Sequence, residues 1–288
     1  MTTAPGGGPE RPGREPRRPL PKRFYKIVTV ATAQLPPPDG ERLGVGGATT
    51  ANAPQSPPPQ PSPTRGEGET RALRVLLDGK PLRTPAKREF LLPTKAVANA
   101  IAAEWEAQAE RIDPAAMPLT RLANSALDGV SGREAEVRAD IAKYAGTDLL
   151  CYRAEGPHEL VQRQVRAWDP ILAWAREALG AHLDIVVGVM PRPQADQATG
   201  SLARALERHD AFHLAALHVM TTLTGSAVLA LGHAHGGLSA EAAWAAAHVD
   251  EDWQISRWGE DAEAKSRRDR RWLDMQAASR MLRLLGHT

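Results

Sequence analysis

Cysteine is almost missing from this 288-residue chain. Cys151 stands alone, which excludes an intramolecular disulfide framework and any zinc site built on several thiolates. A surplus of charge is missing too. Lys and Arg number 36 against 34 Asp and Glu, a formal charge of +2, so the clear basic excess of a dedicated nucleic-acid binder is not there. The first 26 residues hold no apolar run long enough for a secretory signal, and none is expected. No G-x-x-x-x-G-K-[ST] loop occurs, and Gly44, Gly46 and Gly47 neither follow a strand nor open a helix, so no nucleotide site is implied. What remains is a globular composition, 42% hydrophobic with a mean hydropathy of −0.38, long enough for one large domain or two modest ones.

The prolines are unevenly placed, with 15 of the 24 in residues 1–70. Proline removes hydrogen-bond donors and neither Met1–Arg23 nor Gln34–Thr70 has apolar residues to offset the ordering cost, so both tracts are expected to be disordered. The polyproline runs Pro36–Pro38 and Pro57–Pro59 would suit SH3-like partners, giving an adaptor reading; a neutral insertion is the plainer one. Between the tracts, Phe24–Thr32 reads as a strand. Leu73–Leu77 is another, ended by the turn signal Asp78-Gly79, and Lys80–Arg83 and Phe90–Leu92 read as short strands. The expectation is an antiparallel meander whose first hairpin carries the insertion at 34–70, which loop-closure entropy tolerates.

From Thr94 the period changes to that of helices. Thr94 is a predicted N-cap, with Val97, Ile101, Trp105 and Gln108 at helical spacing. Asp113-Pro114 opens a helix expected to run toward Asp128, and Gly132–Tyr144 reads as another. Thr147–Tyr152 has no clear assignment. His158–Leu179 is an amphipathic helix with a predicted stripe through Val161, Val165, Trp168, Ile171, Leu172, Ala175 and Leu179, and with a kink or break at Pro170. Ile185–Val187 reads as one more strand. Asp210 and Glu241 bracket thirty positions without a formal charge. Threonines and the glycines at Gly225 and Gly232–Gly237 interrupt that stretch, so two buried helices meeting near Gly225 are expected in place of a membrane span. A last helix from about Asp261 carries a seam at Trp272, Met275, Ser279 and Leu282. The fold class expected is α+β: residues 1–23 a tail, 24–93 a small antiparallel β-rich domain with the insertion at 34–70, and 94–288 a larger helical domain.

Catalytic chemistry finds few candidates. His209 and His213, four apart, would share a helix face as zincin ligands do, but Asp210 stands where the metalloprotease motif has Glu, and no third ligand continues the pattern. A zinc hydrolase on His209 and His213 is the alternative enzymatic reading. Ser125 and Ser226 lack a nucleophile elbow. Cys151 sits in an apolar run, where a thiol packs inertly. A different segment stands out: His248–Asp261 holds five carboxylates and two tryptophans in fourteen residues. As structure, Trp253 or Trp258 anchors a core and the acids are a solvated face. As function, exposed Trp with clustered acids is the composition of an interface with charge steering. The residues alone leave both readings open.

Asp250-Glu251-Asp252-Trp253-Gln254, followed by Trp258-Gly259-Glu260-Asp261-Ala262-Glu263-Ala264, resembles the C-terminal signature of the F-type ATP synthase assembly chaperones dedicated to the catalytic-sector α subunit. Further blocks resemble the same family in order: Lys22–Lys26, Leu76–Pro85, Ile112-Asp113-Pro114 with Met117–Asn124, Tyr144–Tyr152, and Trp168-Asp169-Pro170. The insertion at Gln34–Thr70 departs from the family, replacing what looks there like a short hairpin turn. The resemblance implies a non-enzymatic protein without cofactor or metal that holds unassembled α subunit until β takes its place. No nucleic acid, from the charge balance, and no membrane insertion, from the broken apolar stretch, are expected, and a monomer is expected over an obligate oligomer. Glu251 matches the family's functional acid, with Asp250, Asp252 and Gln254 supporting it and Trp253 and Trp258 framing the patch. Pro118, Asn124, Asp128 and Asp148 read as makers of turns, caps and buried bonds, and Glu104 and Trp105 as a domain-junction contact. Met1–Arg23 has no amphipathic period of an import signal, so bacterial cytoplasm is the expected compartment, or the mitochondrial matrix in a eukaryote.

Overall fold

Asp78-Gly79 turns as its composition predicts. Both residues take positive φ, 48° and 78°, the left-handed pair that lets a two-residue hairpin follow the twist of its strands. In the computed structural model, which describes residues 19–33, 72–188, 190 and 192–286, this turn joins β2 (Leu73–Leu77) to β3 (Lys80–Pro81). The Asp78 carboxylate accepts from the backbone N–H groups of Ile27 and Lys26, at 2.8 and 3.0 Å. Those bonds hold its carboxyl below the usual range. They also shorten the first strand: β1 covers Val28–Thr32 and does not begin at Phe24, because the amides just before it are spent on a side chain.

β1 and β2 pair antiparallel from Val28↔Leu77 to Thr32↔Leu73. The expected meander is altered at β4 (Leu91–Leu92), which returns to pair with Leu73 and Arg74 of β2. β2 is therefore central, with β1 on one edge and β3 and β4 sharing the other. The insertion at 34–70 and residues 1–18 of the tail fall outside the described residues. Lys22 and Arg23, assigned to the tail from sequence, are held in the fold instead. Lys22 bridges Arg111, and the Arg23 guanidinium donates to the carbonyls of Glu106 and Gln108.

Thr94 caps α1 (Lys95–Glu106) as its sequence context predicts, its Oγ1 accepting from Val97 N at 3.1 Å. The inward face of α1, with Val97, Ala98 and Ile101, is buried in one apolar cluster with Val75, Leu77, Phe90 and Leu92. The helix expected from Pro114 to Asp128 is divided. A 3₁₀ turn at Pro114–Ala116 is followed by α2 (Pro118–Ser125) and a π turn at Ala126–Val130. Pro118 at the first position of α2 suits a fresh start, since the proline lacks the N–H a continuing helix would need. α2 begins under Glu104, whose buried carboxylate accepts from Leu119 N, Thr120 N and Thr120 Oγ1 at 2.7–2.8 Å.

α3 (Glu134–Ala145) leads to a 3₁₀ turn at Leu149–Cys151 and to β5 (Tyr152–Arg153). α4 spans His158–Leu179 without interruption, so Pro170 does not break it. Pro170 and Arg166 are both exposed, which leaves the freed carbonyl of Arg166 to water. The buried face of α4 also differs from the predicted stripe. It runs through Leu160, Gln164, Trp168, Ile171 and Ala175, while Val165 is 36% exposed. Gln164 enters the core because both ends of its amide are bonded, to Ala154 N and to Asp250 Oδ1. β6 (Val186–Val187) pairs in parallel with β5, giving both short runs a partner far away in sequence.

α5 (Asp196–Leu206), α6 (Ala211–Thr224), α7 (Ala227–Ala234), α8 (Ala240–Ala247), α9 (Val249–Trp258) and α10 (Ala262–Leu285) complete the chain. α6 and α7 meet at Gly225, whose φ of 69° closes α6 in the left-handed cap that glycine adopts freely. The uncharged stretch is thus two core helices. Among the described residues no helix is long and apolar enough to cross a membrane. Asp148, fully buried, accepts from Leu150 N and Val228 N and so ties the Leu149 turn to the start of α7.

Candidate protein-binding site

α9 has no buried residue. It lies on the surface between α4 and α10, and two of its three acids are spent holding it there. Asp250 Oδ1 accepts from Gln164 Nε2 at 2.8 Å on the α4 side, and Arg257, two turns on, pairs with Glu159 of the same helix. Asp252 faces the other way and pairs with Arg268 of α10. Residues at i, i+3 and i+7 share one helix face, so Glu251, Gln254 and Trp258 lie along one side of α9, Glu251 half-buried and the other two exposed. Trp258 is 74% exposed. Trp253 is half-buried and meets Trp258 edge to face with ring centroids 5.5 Å apart.

Glu251 has one titratable neighbour on its own helix stretch, His248, with Nε2 3.8 Å from its carboxylate. Burial holds His248 below the usual imidazole range, with the carbonyl of Trp244 working against that and the charge of Arg268 adding to it. The Trp244 carbonyl accepts from Nδ1 at 2.7 Å, so the proton sits there and the nitrogen facing Glu251 carries none at neutral pH. Among the described residues Glu251 thus makes no ion pair with a Lys or Arg, though its charge acts on Arg268 of α10, and it shares its side of the helix with a large exposed indole. The structure lines Glu251, Gln254 and Trp258 along one side of α9 and pairs Asp250 with α4 and Asp252 with α10, with the Asp252 side chain, at 45%, as open to solvent as that of Glu251 at 39%.

Sequence reasoning passed over what braces this face. His248 lies against Trp244, with ring centroids 4.0 Å apart, and Trp244 meets Trp272 of α10 at 5.3 Å. The spacing Trp244, His248, Glu251 places each one turn from the next, a signal that was available.

The enzymatic candidates do not form a metal site among the described residues. His209 precedes α6, and Asp210 is the N-cap of that helix, its Oδ1 accepting from Phe212 N and His213 N at 2.9 Å. His209 therefore lies outside the helix, although its ring stays beside that of His213 with centroids 5.5 Å apart. Among the described residues no three His, Cys, Asp or Glu are placed to hold a metal. The Cys151 thiol is buried, and burial, with the Asp148 charge adding to it, pushes it up to about 12. Acids outside α9 serve as braces: Glu104 over α2, Asp148 over α7, and Asp128 accepting from Ala86 N at 3.0 Å.

The family model of the ATP12 chaperone protein matches residues 62–176 of this chain. A mitochondrial atp12 protein of Schizosaccharomyces pombe is 26% identical over 227 residues, which cover 72% of this chain and 78% of the relative. A candidate chaperone from Agrobacterium tumefaciens superposes with a TM-score of 0.78 at 43% identity, covering 92% of this chain and 87% of that one. The crystal structure of Atp12 from Paracoccus denitrificans gives a TM-score of 0.75 at 38% identity, covering 92% of this chain and 98% of that one.

Proposed function

This chain belongs to the ATP12 family of ATP synthase assembly chaperones, and from that premise we propose that it holds the unassembled α subunit of the F-type catalytic head until the β subunit displaces it. An orphan subunit exposes an apolar interface that aggregates unless covered. A protein that binds that interface stabilises the assembly-competent form by mass action. It also has to leave, so its contact is one the true partner outcompetes.

The observation that carries this reading is the open face of α9. Glu251 is the acid left free, Gln254 adds a polar contact, and Trp258 supplies apolar area beside them. In this reading Glu251 makes a charge-assisted contact with a basic group on α, and Asp250, Asp252 and Trp253 hold the helix that presents it. The role is binding without catalysis. The compartment that goes with it is the bacterial cytoplasm or the mitochondrial matrix, in keeping with bacterial and mitochondrial relatives.

Co-expression of the full chain with cognate α and β subunits, separately, followed by affinity capture, tests the proposal. Recovery of α without β is expected. Recovery of neither, with both soluble, removes the mechanism.

A further inference from the structure

α4 borders a second open surface. Gln164 faces the core and Glu159 pairs with α9, whereas Val165, Asp169, Leu172 and Arg176 recur at i, i+4, i+7 and i+11 along another side of the helix. The chain from Ala181 to Ile185, just before β6, runs beside that side, and the two border a cavity of about 480 Å³. Leu172, Leu183 and Ile185 give it an apolar lining, and His182 lines it as well. Its charges cancel. Asp169 pairs with Arg153 at 2.8 Å, and the remaining carboxylate, Asp184, balances the remaining guanidinium, Arg176.

β6 is an open edge. Gly188 N donates to the Arg153 carbonyl at 2.9 Å. With Arg153 opposite Val187, this register turns the N–H and C=O groups of Ile185 and Val187 away from β5. Among the described residues no strand other than β5 pairs with β6. The edge is held at both ends. The Gln194 amide accepts from Asp184 N and donates to the Asp184 carbonyl, at 2.7 and 2.9 Å. Gly188, at φ 89°, ends the strand where a Cβ would meet the Glu155 carboxylate at 2.9 Å.

Natural sheet edges are blunted by charge, proline or shortness. From Ile185 to Met190 the sequence has neither charge nor proline, so shortness alone protects this one. Ile185 and Val187 lie on one side of the strand, 49% and 65% exposed, and Met190 beyond them is 77% exposed. A stable protein contact takes about 800 Å² per partner, drawn from about 20–30 residues. The ten residues of α9 fall short of that, so a client held at Glu251 needs further surface. α4 connects the two places, since Glu159 and Asp169 stand about 15 Å apart along its axis at 1.5 Å per residue.

Resting on the reading of α as the client, we infer that the β6 edge takes an extended segment of unassembled α. The incoming backbone pairs with the N–H and C=O groups of Ile185 and Val187, and an apolar side chain of the segment enters the cavity beside Leu172 and Leu183. Unpaired backbone groups call for a strand, and the balanced charges and exposed aliphatic side chains call for apolar residues at alternate positions in it. An edge of so few residues is also one that the true partner subunit can clear.

The test uses the full chain with cognate α. Hydrogen exchange of the Ile185 and Val187 amides is expected to slow when α binds. Val187→Pro removes a donor from the edge and, because that N–H faces away from β5, leaves the fold intact; capture of α weakens about tenfold. Val187→Glu, at an exposed position that tolerates charge, weakens capture by a similar factor, because the carboxylate is buried under the incoming strand. Thermal unfolding near that of the wild type shows that both variants are folded. Capture of α without slowed exchange at these amides, or undiminished in Val187→Glu, overturns the inference and leaves α as the client. A wild-type chain that captures no α overturns both. Exchange that slows in the chain alone as its concentration rises assigns the edge to a second copy and overturns the inference too.

Discussion

Replacing Asp250, Glu251 and Asp252 singly by their amides separates stability from binding. Asp252→Asn breaks the pair with Arg268, whose side chains are 45% and 20% exposed. A half-exposed pair of this kind contributes about 1 kcal/mol, and at this chain length that lowers Tm by about 2–4 °C. Asp250→Asn keeps a carbonyl oxygen for Gln164 and costs about 0.5 kcal/mol, whereas Asp250→Ala orphans a buried amide N–H and costs about 1–3 kcal/mol. Glu251→Gln breaks no bond with a charged group and leaves stability within about 0.5 kcal/mol. Binding follows the opposite order. If Glu251 meets a cation on α, its loss removes about 1.5–3 kcal/mol of charge-assisted contact, which weakens Kd by about 10–150-fold. Thermal unfolding followed by tryptophan fluorescence, alongside quantitative capture of α, reads both quantities on the same samples. Glu251→Gln with wild-type capture refutes the assignment. Equal loss in all three amides would show that the charge of the helix acts as a whole.

Other outcomes follow from the buried groups. Glu104→Gln forfeits one of the two backbone N–H bonds at the start of α2 and its charge assistance, so a loss of about 2–3 kcal/mol is expected in urea unfolding; a change under about 0.5 kcal/mol would show that the carboxylate is not the cap. Asp148 is raised from 3.8 to about 6, chiefly by burial. Because its folded pKa exceeds the unfolded one, its contribution is fully present below pH 4 and is lost as pH rises through 6. At 1.36 kcal/mol per pH unit, wild-type stability relative to Asp148→Asn then falls by about 3 kcal/mol across that window; a flat difference would contradict it. The Cys151 thiol, buried and pushed up to about 12, should react with a thiol reagent at pH 7 only at the rate of unfolding, and fast labelling of the native protein would place it at the surface.

Much of the fold was legible because the signals are local. Thr94, Asp113, Ser226, Ser239 and Asp261 each cap a helical segment by accepting from an amide two or three residues on. Asp78-Gly79 turns on its own backbone preferences. Other features depended on partners distant in the chain. Val165 and Leu160 are equally plausible on an amphipathic helix, and Gln164 was passed over because a polar residue joins a core face only when both ends of its amide are met elsewhere. The return of β4 to β2 is likewise a pairing that no local pattern encodes.

The sequence by itself determined the change from strands to helices at Thr94, the caps at Thr94 and Asp113, the Asp78-Gly79 turn and a set of motifs sufficient for the family. Only the tertiary structure decided which of three adjacent acids stays free. Asp250 is held by Gln164 of α4 and Asp252 by Arg268 of α10, and the rotation of successive helical residues places Glu251 between them without a Lys or Arg in ion-pair range among the described residues. The same distinction moved His209 off the helix, since Asp210 serves as the cap where α6 begins. A motif records which residues are present, whereas their availability to a partner depends on which neighbours the fold has already given them.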